Sequence, residues 1–142
     1  MKRRYFDNAA TTFPKPSAVT EAMVDYMQRL GASAGRGAYR ETVEAGRMLG
    51  QTRDAVRRLL GAQPADAAIF TLNCSDALNI AIKGVVRPGD HVVTTVLDHN
   101  SVLRPLSALE AQRSITWTAV DVDPKSTILD PAAIDAAITP KT

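Results

Sequence analysis

The sequence predicts an α/β fold: a three-layer α/β/α arrangement with a mainly parallel sheet, preceded by an extended arm and two helices. Two observations predict this class. Short apolar runs alternate with helical stretches after residue 65, and the order strand, helix, strand, helix, strand implies right-handed crossovers and a mainly parallel sheet. The 142 residues, 45% of them hydrophobic, can form a core without disulfides or metals.

Residues 1–16 are predicted to form the arm, and residues 17–142 to belong to one larger domain. Pro14 and Pro16, among small polar residues, exclude a helix interior from the arm. The stretch from Asp7 to Thr12 has no large side chain, which fits close approach to a ligand or a partner chain. Composition alone favours a solvated arm.

Two helices are predicted next, over 17–30 and 39–60. Apolar residues recur at helical spacing in both. Ser17 can cap the first helix, which Gly31 ends, and Gly61 ends the second.

The remaining elements follow the α/β alternation. Strands are predicted over 67–72, 91–96 and 115–120, and helices over 75–86 and 101–112. A last helix begins with Asp130 as cap and Pro131 as first residue, and runs through Ile138.

Charge and cysteine content exclude several classes of protein. Seventeen Lys and Arg against fifteen Asp and Glu leave a net charge of +2, which argues against a nucleic-acid partner. The single cysteine, Cys74, excludes an intramolecular disulfide and suits a reducing cytoplasm. No apolar stretch is long enough for a membrane span or a signal peptide, so a cytoplasmic protein without a membrane partner is expected.

The candidate site lies beyond the carboxyl ends of the predicted strands, where ligands bind in open α/β sheets. Residues 73–76 (NCSD) leave a strand and open a helix, so free amides and a hydroxyl meet at a positive helix end. This pattern suits an anion, in particular a phosphate. The plain alternative, which position alone favours, is that Ser75 only caps the helix. Neither a dinucleotide nor a nucleoside triphosphate motif is present.

Three further residues, His99, His91 and Cys74, have side chains that can take part in chemistry. His99 follows the second strand and can stack on a planar cofactor or move protons, whereas a lone histidine there is more often a cap or surface residue. His91 begins that strand and is predicted to be structural. With only two histidines and no third ligand, no metal site is predicted. Cys74 could be a nucleophile at a helix N-terminus, but without a nearby base it fits better as part of the anion loop.

Taken together, the segments resemble the N-terminal part of the class V aminotransferase-fold enzymes, specifically the cysteine desulfurase and selenocysteine lyase group. Residues 5–12 (YFDNAATT) resemble the family's start, and residues 70–79 (FTLNCSDALN) its phosphate loop. Residues 90–95 (DHVVTT), leading to 98–102 (DHNSV), resemble the strand that delivers its ring-stacking histidine. The resemblance covers essentially the whole chain and implies an incomplete large domain of fold type I, which binds pyridoxal 5′-phosphate (PLP).

The resemblance also implies roles for individual residues. Cys74 and Ser75 match the pair that holds the cofactor phosphate. His99 matches the residue that stacks on the pyridine ring and assists proton transfer. Asn8, Ala9 and Ala10 match the arm that closes over the amino-acid substrate.

The activity implied is removal of sulfur from L-cysteine, giving alanine and an enzyme persulfide. A homodimer and a sulfur-acceptor protein are implied with it. None of the chain's five lysines matches the lysine that bonds to the cofactor, so a fragment that is inactive alone is expected. The alternatives are another enzyme of this fold (an aminotransferase or a selenocysteine lyase), or a non-catalytic chain that binds PLP or a related partner.

Overall fold

The computed structural model describes residues 4–63, 68–112 and 114–142, so Lys2 and Ala67 lie outside the described residues. By its internal contacts the chain divides into two compact units, Met1–Ile69 and Phe70–Thr142. The predicted boundary between residues 16 and 17 concerns a different property, the membership of one PLP-binding domain, and stays a prediction.

The first unit begins with an arm that has neither helix nor strand from residue 4 to 16. The rings of Tyr5 and Phe13 meet edge to face with their centroids 5.5 Å apart, and Lys15 Nζ donates to Thr11 Oγ1 at 2.9 Å. The arm is therefore extended but turned on itself, as its prolines and small residues predict.

Helix α1, Ser17–Asp25, continues as a π-helical turn, Tyr26–Leu30, and ends at Gly31, whose φ of 56° only glycine adopts without strain. The predicted helix over 17–30 is confirmed in extent. The predicted cap is wrong, because Pro16 occupies the N-cap position and no side chain caps the helix.

Helix α2, Arg40–Leu59, is the longer helix predicted from the 39–60 pattern. Its Thr42 and Ala45 are buried, and the helix contacts the π-helical turn. Arg29 on that turn pairs with Asp25 one turn earlier and with Glu44 on α2, and these two carboxylates raise the pKa of its guanidinium. The small core of this unit is thus bordered by an exposed ionic link.

The second unit contains helix α3 (Cys74–Val85), strand β1 (His91–Thr95), helix α4 (Asn100–Ala111), strand β2 (Thr116–Val120) and helix α5 (Pro131–Ala137). The two strands pair in parallel, with His91 opposite Thr116 and Thr95 opposite Val120. A parallel pair joined through α4 confirms the predicted α/β class. Asp130 caps α5 as predicted, accepting from the Ala132 amide at 2.9 Å.

The predicted strand over 67–72 is wrong for residues 68–72, which have no strand structure. An apolar run becomes a strand only where a neighbouring strand supplies hydrogen bonds, and the described sheet consists of β1 and β2 alone. Ile69 and Leu72 are accordingly 81% and 94% exposed. The hydrophobic pattern indicates that the segment tends to be buried, but it does not show which strand would pair with it.

The core of this unit lies where α4 meets the sheet. Leu106 of α4, Ile115 and Val120 are buried there, and α4 also packs along α3. This packing places the start of α3 beside the start of α4. Throughout the described ranges, no helix is both long and apolar enough to cross a membrane.

Candidate cofactor site

The start of α3 offers two free backbone amides. Asn73 is the N-cap, and its Oδ1 accepts from the Asp76 amide at 2.9 Å. The alternative in which Ser75 only caps the helix is therefore wrong, because Asn73 does so. The amides of Cys74 and Ser75, the first two helical residues, have no acceptor within the described part of the chain. Two donors at a positive helix end can bind an anion.

The Ser75 hydroxyl stands beside these amides. Its oxygen lies 2.5 Å from Ser101 Oγ at the start of α4. The Ser75 carbonyl accepts from Asn79 Nδ2 at 3.0 Å, which fixes the backbone of the turn. The Cys74 thiol is exposed. Ser75 therefore connects the start of α3 to the start of α4 through its contact with Ser101.

His99 is the N-cap of α4. Its Nδ1 accepts from the Ser101 amide at 3.1 Å, and Ser101 Oγ lies 2.9 Å from the same nitrogen. Because Nδ1 accepts, the proton of the neutral imidazole sits on Nε2. Nε2 has no partner among the residues that the structure describes. His99 therefore caps a helix, as the plain alternative expects, and it also presents a free N–H; its role toward a cofactor stays a prediction.

The turn that delivers His99 is held by its neighbour Asp98. Asp98 Oδ2 accepts from Thr94 Oγ1 at 2.6 Å, from the Thr95 amide at 2.9 Å and from Thr95 Oγ1 at 3.1 Å. These bonds, that of Thr94 foremost, hold the pKa of the Asp98 carboxyl below its ordinary value. The carboxylate thus fixes the chain between the end of β1 and the start of α4.

A cleft of about 380 Å³ lies along α3 and α4. Ser75, His99 and Ser101 line one part of it, and Lys83 and Arg104 also line it. These two cationic side chains and the free amide of Ser75 favour a negatively charged ligand. The structure therefore brings Ser75 and His99 into one cleft, with Cys74 next to it in sequence.

The predicted substrate residues lie in the first unit. Asn8 Oδ1 accepts from the Phe13 amide at 3.2 Å and so holds the turn of the arm. Ala9 and Ala10 are exposed, with no bulky side chain to obstruct a ligand. Their role toward a substrate stays a prediction.

His91 is structural, as predicted. Its Nδ1 lies 2.8 Å from Thr142 Oγ1 and its Nε2 lies 2.9 Å from Thr118 Oγ1. Both ring nitrogens are thus engaged at the start of β1, away from His99. No group of three or more His, Cys, Asp or Glu residues arranged for a metal occurs in the described ranges.

Two residues of the site were not singled out from sequence. Ser101 follows His99 by two positions, the spacing at which an N-cap side chain meets a backbone amide, and this spacing could have identified it. Asn73 is likewise a preferred capping residue directly before the helix. The contact of Ser101 with Ser75 had no sequence signal, because 26 residues separate them.

Comparisons with known proteins identify the family. The family model of Aminotransferase class-V matches residues 4–142. The chain therefore belongs to the class V aminotransferase family.

Several similar proteins are named as cysteine desulfurases or probable cysteine desulfurases. A probable cysteine desulfurase of Methanothermobacter thermautotrophicus is 36% identical over 94% of this chain and 33% of its own length. The apo cysteine desulfurase of Thermococcus onnurineus superposes with a TM-score of 0.80 at 29% identity, over 94% of this chain and 33% of that one. SspA in complex with cysteine superposes with a TM-score of 0.82 at 28% identity, over 98% and 40%. The chain thus spans about a third of the length of the curated relatives it matches.

Proposed function

We propose that this chain forms the phosphate- and ring-binding part of a PLP-dependent cysteine desulfurase, which removes sulfur from L-cysteine and leaves alanine. The relatives named as cysteine desulfurases support this activity. The structure of SspA with cysteine supports cysteine as the substrate.

One observation carries the proposal: Ser75 and His99 are joined through Ser101 by contacts of 2.5 and 2.9 Å. A cofactor with a phosphate at one end and a flat ring at the other needs an anion site and a ring contact within one cleft. The free amides of Cys74 and Ser75 suit the phosphate, and the exposed imidazole of His99 suits the ring. The donors present therefore fit PLP.

When bound, PLP supplies an electron-withdrawing ring that makes the Cα proton of an amino acid acidic. The chain's own residues bind and orient. Cys74 and Ser75 would hold the phosphate through amides and a hydroxyl, and Lys83 and Arg104 would add positive charge along the cleft. His99 would lie against the ring, with the Nε2 proton available for transfer.

The remaining roles are part of the same proposal. The arm residues Asn8, Ala9 and Ala10 would contact the amino-acid substrate. The active protein would be a cytoplasmic homodimer that passes its persulfide sulfur to an acceptor protein. Cys74, the single cysteine of the chain, is assigned to the phosphate loop and not to persulfide formation.

A PLP titration of the purified protein tests the cofactor site, with binding measured by visible absorbance and calorimetry. Ser75→Ala is expected to lower the affinity roughly tenfold, the loss of one hydrogen bond to a charged group. Ser107→Ala is the matched control, because Ser107 is an exposed serine on α4 that does not line the cleft. Equal affinity of the two variants would contradict the phosphate assignment.

Turnover by a full-length, PLP-loaded enzyme that contains this chain tests the reaction. L-Cysteine is expected to give alanine and sulfide in equal amounts when a reducing thiol is present. Release of a keto acid would instead indicate an aminotransferase, and a strong preference for selenocysteine would indicate a selenocysteine lyase. PLP binding without any turnover is expected of the 142-residue chain alone, since none of its lysines matches the family's cofactor lysine.

A further inference from the structure

Ser101 joins two groups that the proposed function assigns to opposite ends of the cofactor. Its amide and hydroxyl both meet His99 Nδ1, at 3.1 and 2.9 Å, and its hydroxyl also meets Ser75 Oγ at 2.5 Å. Ser101 is half-buried, whereas Ser75 and His99 are exposed. The least accessible of the three residues therefore connects the two that a ligand can reach.

We propose that Ser101 is a positioning residue that transmits the state of the Ser75 hydroxyl to the imidazole of His99. This inference rests on the proposed phosphate site at Ser75. It adds a coupling between the phosphate contact and the ring contact, made through a side chain that need not touch the ligand.

The positions of the hydroxyl protons explain the coupling. Two oxygens 2.5 Å apart repel each other unless one proton lies between them. In the inward arrangement, Ser75 donates to Ser101 and Ser101 donates to Nδ1 of His99. In the outward arrangement, Ser101 donates to Ser75, and the Ser75 proton is left for an acceptor outside the chain.

A phosphate at Ser75 selects the outward arrangement when one of its unprotonated, negatively charged oxygens faces the hydroxyl, because such an oxygen can only accept. Nδ1 then loses the Ser101 hydroxyl as a donor but keeps the Ser101 amide. The orientation of the ring is maintained while one hydrogen bond to Nδ1 is removed. By linkage, any change at Nδ1 that disfavours the inward arrangement strengthens phosphate binding.

Nitrogen NMR of the protein labelled in its histidines tests this inference. The chain has two histidines, so the signals that disappear in His99→Gln are those of His99. This assignment is then used for the spectra of the other variants. Without any anion, Ser101→Ala is expected to shift the Nδ1 resonance of His99, and Ser101→Thr, which keeps a hydroxyl, is expected to restore it. Ser107→Ala is the matched control, and its Nδ1 resonance of His99 should be the same as in the unsubstituted protein.

Inorganic phosphate provides the second part of the test. Saturating phosphate should shift Nδ1 of the unsubstituted protein in the same direction as Ser101→Ala does, because both remove the same hydrogen bond. In Ser101→Ala the phosphate-induced shift should be lost, while phosphate affinity stays within about threefold, since Ser75 and the amides remain.

Two results would overturn the inference. One is an Nδ1 resonance that Ser101→Ala leaves unchanged, and the other is a phosphate-induced shift of equal size with and without the Ser101 hydroxyl. Either result together with tight PLP binding rejects the coupling and leaves the proposed function intact. A Ser101-dependent response to phosphate in a protein that does not bind PLP rejects the proposed function and retains the coupling. Failure to bind either ligand contradicts both.

Discussion

Asp98 accepts three hydrogen bonds on one atom near the site: its Oδ2 accepts from Thr94 Oγ1, the Thr95 amide and Thr95 Oγ1. Asp98→Asn removes the charge and leaves one carbonyl acceptor. We expect a loss of about 1 kcal/mol in the free energy of unfolding, reduced from that of a buried charged hydrogen bond because the carboxylate is partly exposed to solvent. Urea unfolding at neutral pH measures it.

The pH dependence of this loss has a defined sign. The folded pKa of Asp98 is below the ordinary 3.8, so its stabilisation is complete above 3.8 and is lost as the pH falls through the folded value. The difference between Asp98→Asn and the unsubstituted protein should therefore shrink on acidification below that value. Asp121→Asn is the control, because it removes the same charge from an exposed site without a hydrogen bond in the described ranges. A difference that grows in acid would reject the explanation.

At the scale of elements, the helices are predicted correctly from the sequence, whereas the strand predicted over 67–72 is wrong for residues 68–72. The period and end signals of α2, α4 and α5 are local in sequence, and each helix agrees with its prediction to within about two residues. The run over 67–72 depended on a partner strand that local sequence does not specify. The site divides in the same way. His99 follows from its place after β1, and Ser75 from the small polar residues that open α3. The contact between Ser75 and Ser101 depends on how α3 packs against α4.

The cap of α3 separates stability from ligand binding. Asn73→Ala removes the acceptor of the Asp76 amide and should cost about 1 kcal/mol of stability, whereas Asn73→Asp keeps a capping oxygen and should be nearly neutral. Asn73→Asp places a negative charge beside the free amides of Cys74 and Ser75, so phosphate affinity should fall. Thermal unfolding and phosphate titration of both variants measure these effects.

A control at the N-cap of α5 tests whether the effect on phosphate affinity depends on a charge beside the cleft. Asp130→Asn is the reverse substitution, from aspartate to asparagine, at the N-cap of α5, which does not line the cleft. It should leave phosphate affinity unchanged. If Asn73→Asp bound phosphate as tightly as the unsubstituted protein, the start of α3 would not be the anion site.

At the scale of the whole molecule, the described apolar side chains are more often exposed than buried. Six hydrophobic residues form the buried set, while twenty large ones are exposed. They occur in both units: Met27 in the first is 66% exposed and Leu72 in the second is 94% exposed. Apolar surface of this extent is typical of faces that another protein surface covers.

We therefore expect the 142-residue chain, studied by itself, to self-associate as its concentration rises. Burial of apolar surface between copies releases water and favours association. Light scattering coupled to size exclusion should give a mass above 15.3 kDa that increases with concentration. Replacing Met23 and Met27, one turn apart on exposed positions of the first unit, by glutamine should reduce the association, whereas Thr20→Gln on the same helix should not. A monomeric mass at every concentration, together with no binding of a hydrophobic dye, would contradict this expectation, because the exposed side chains would then be stable in water without a partner.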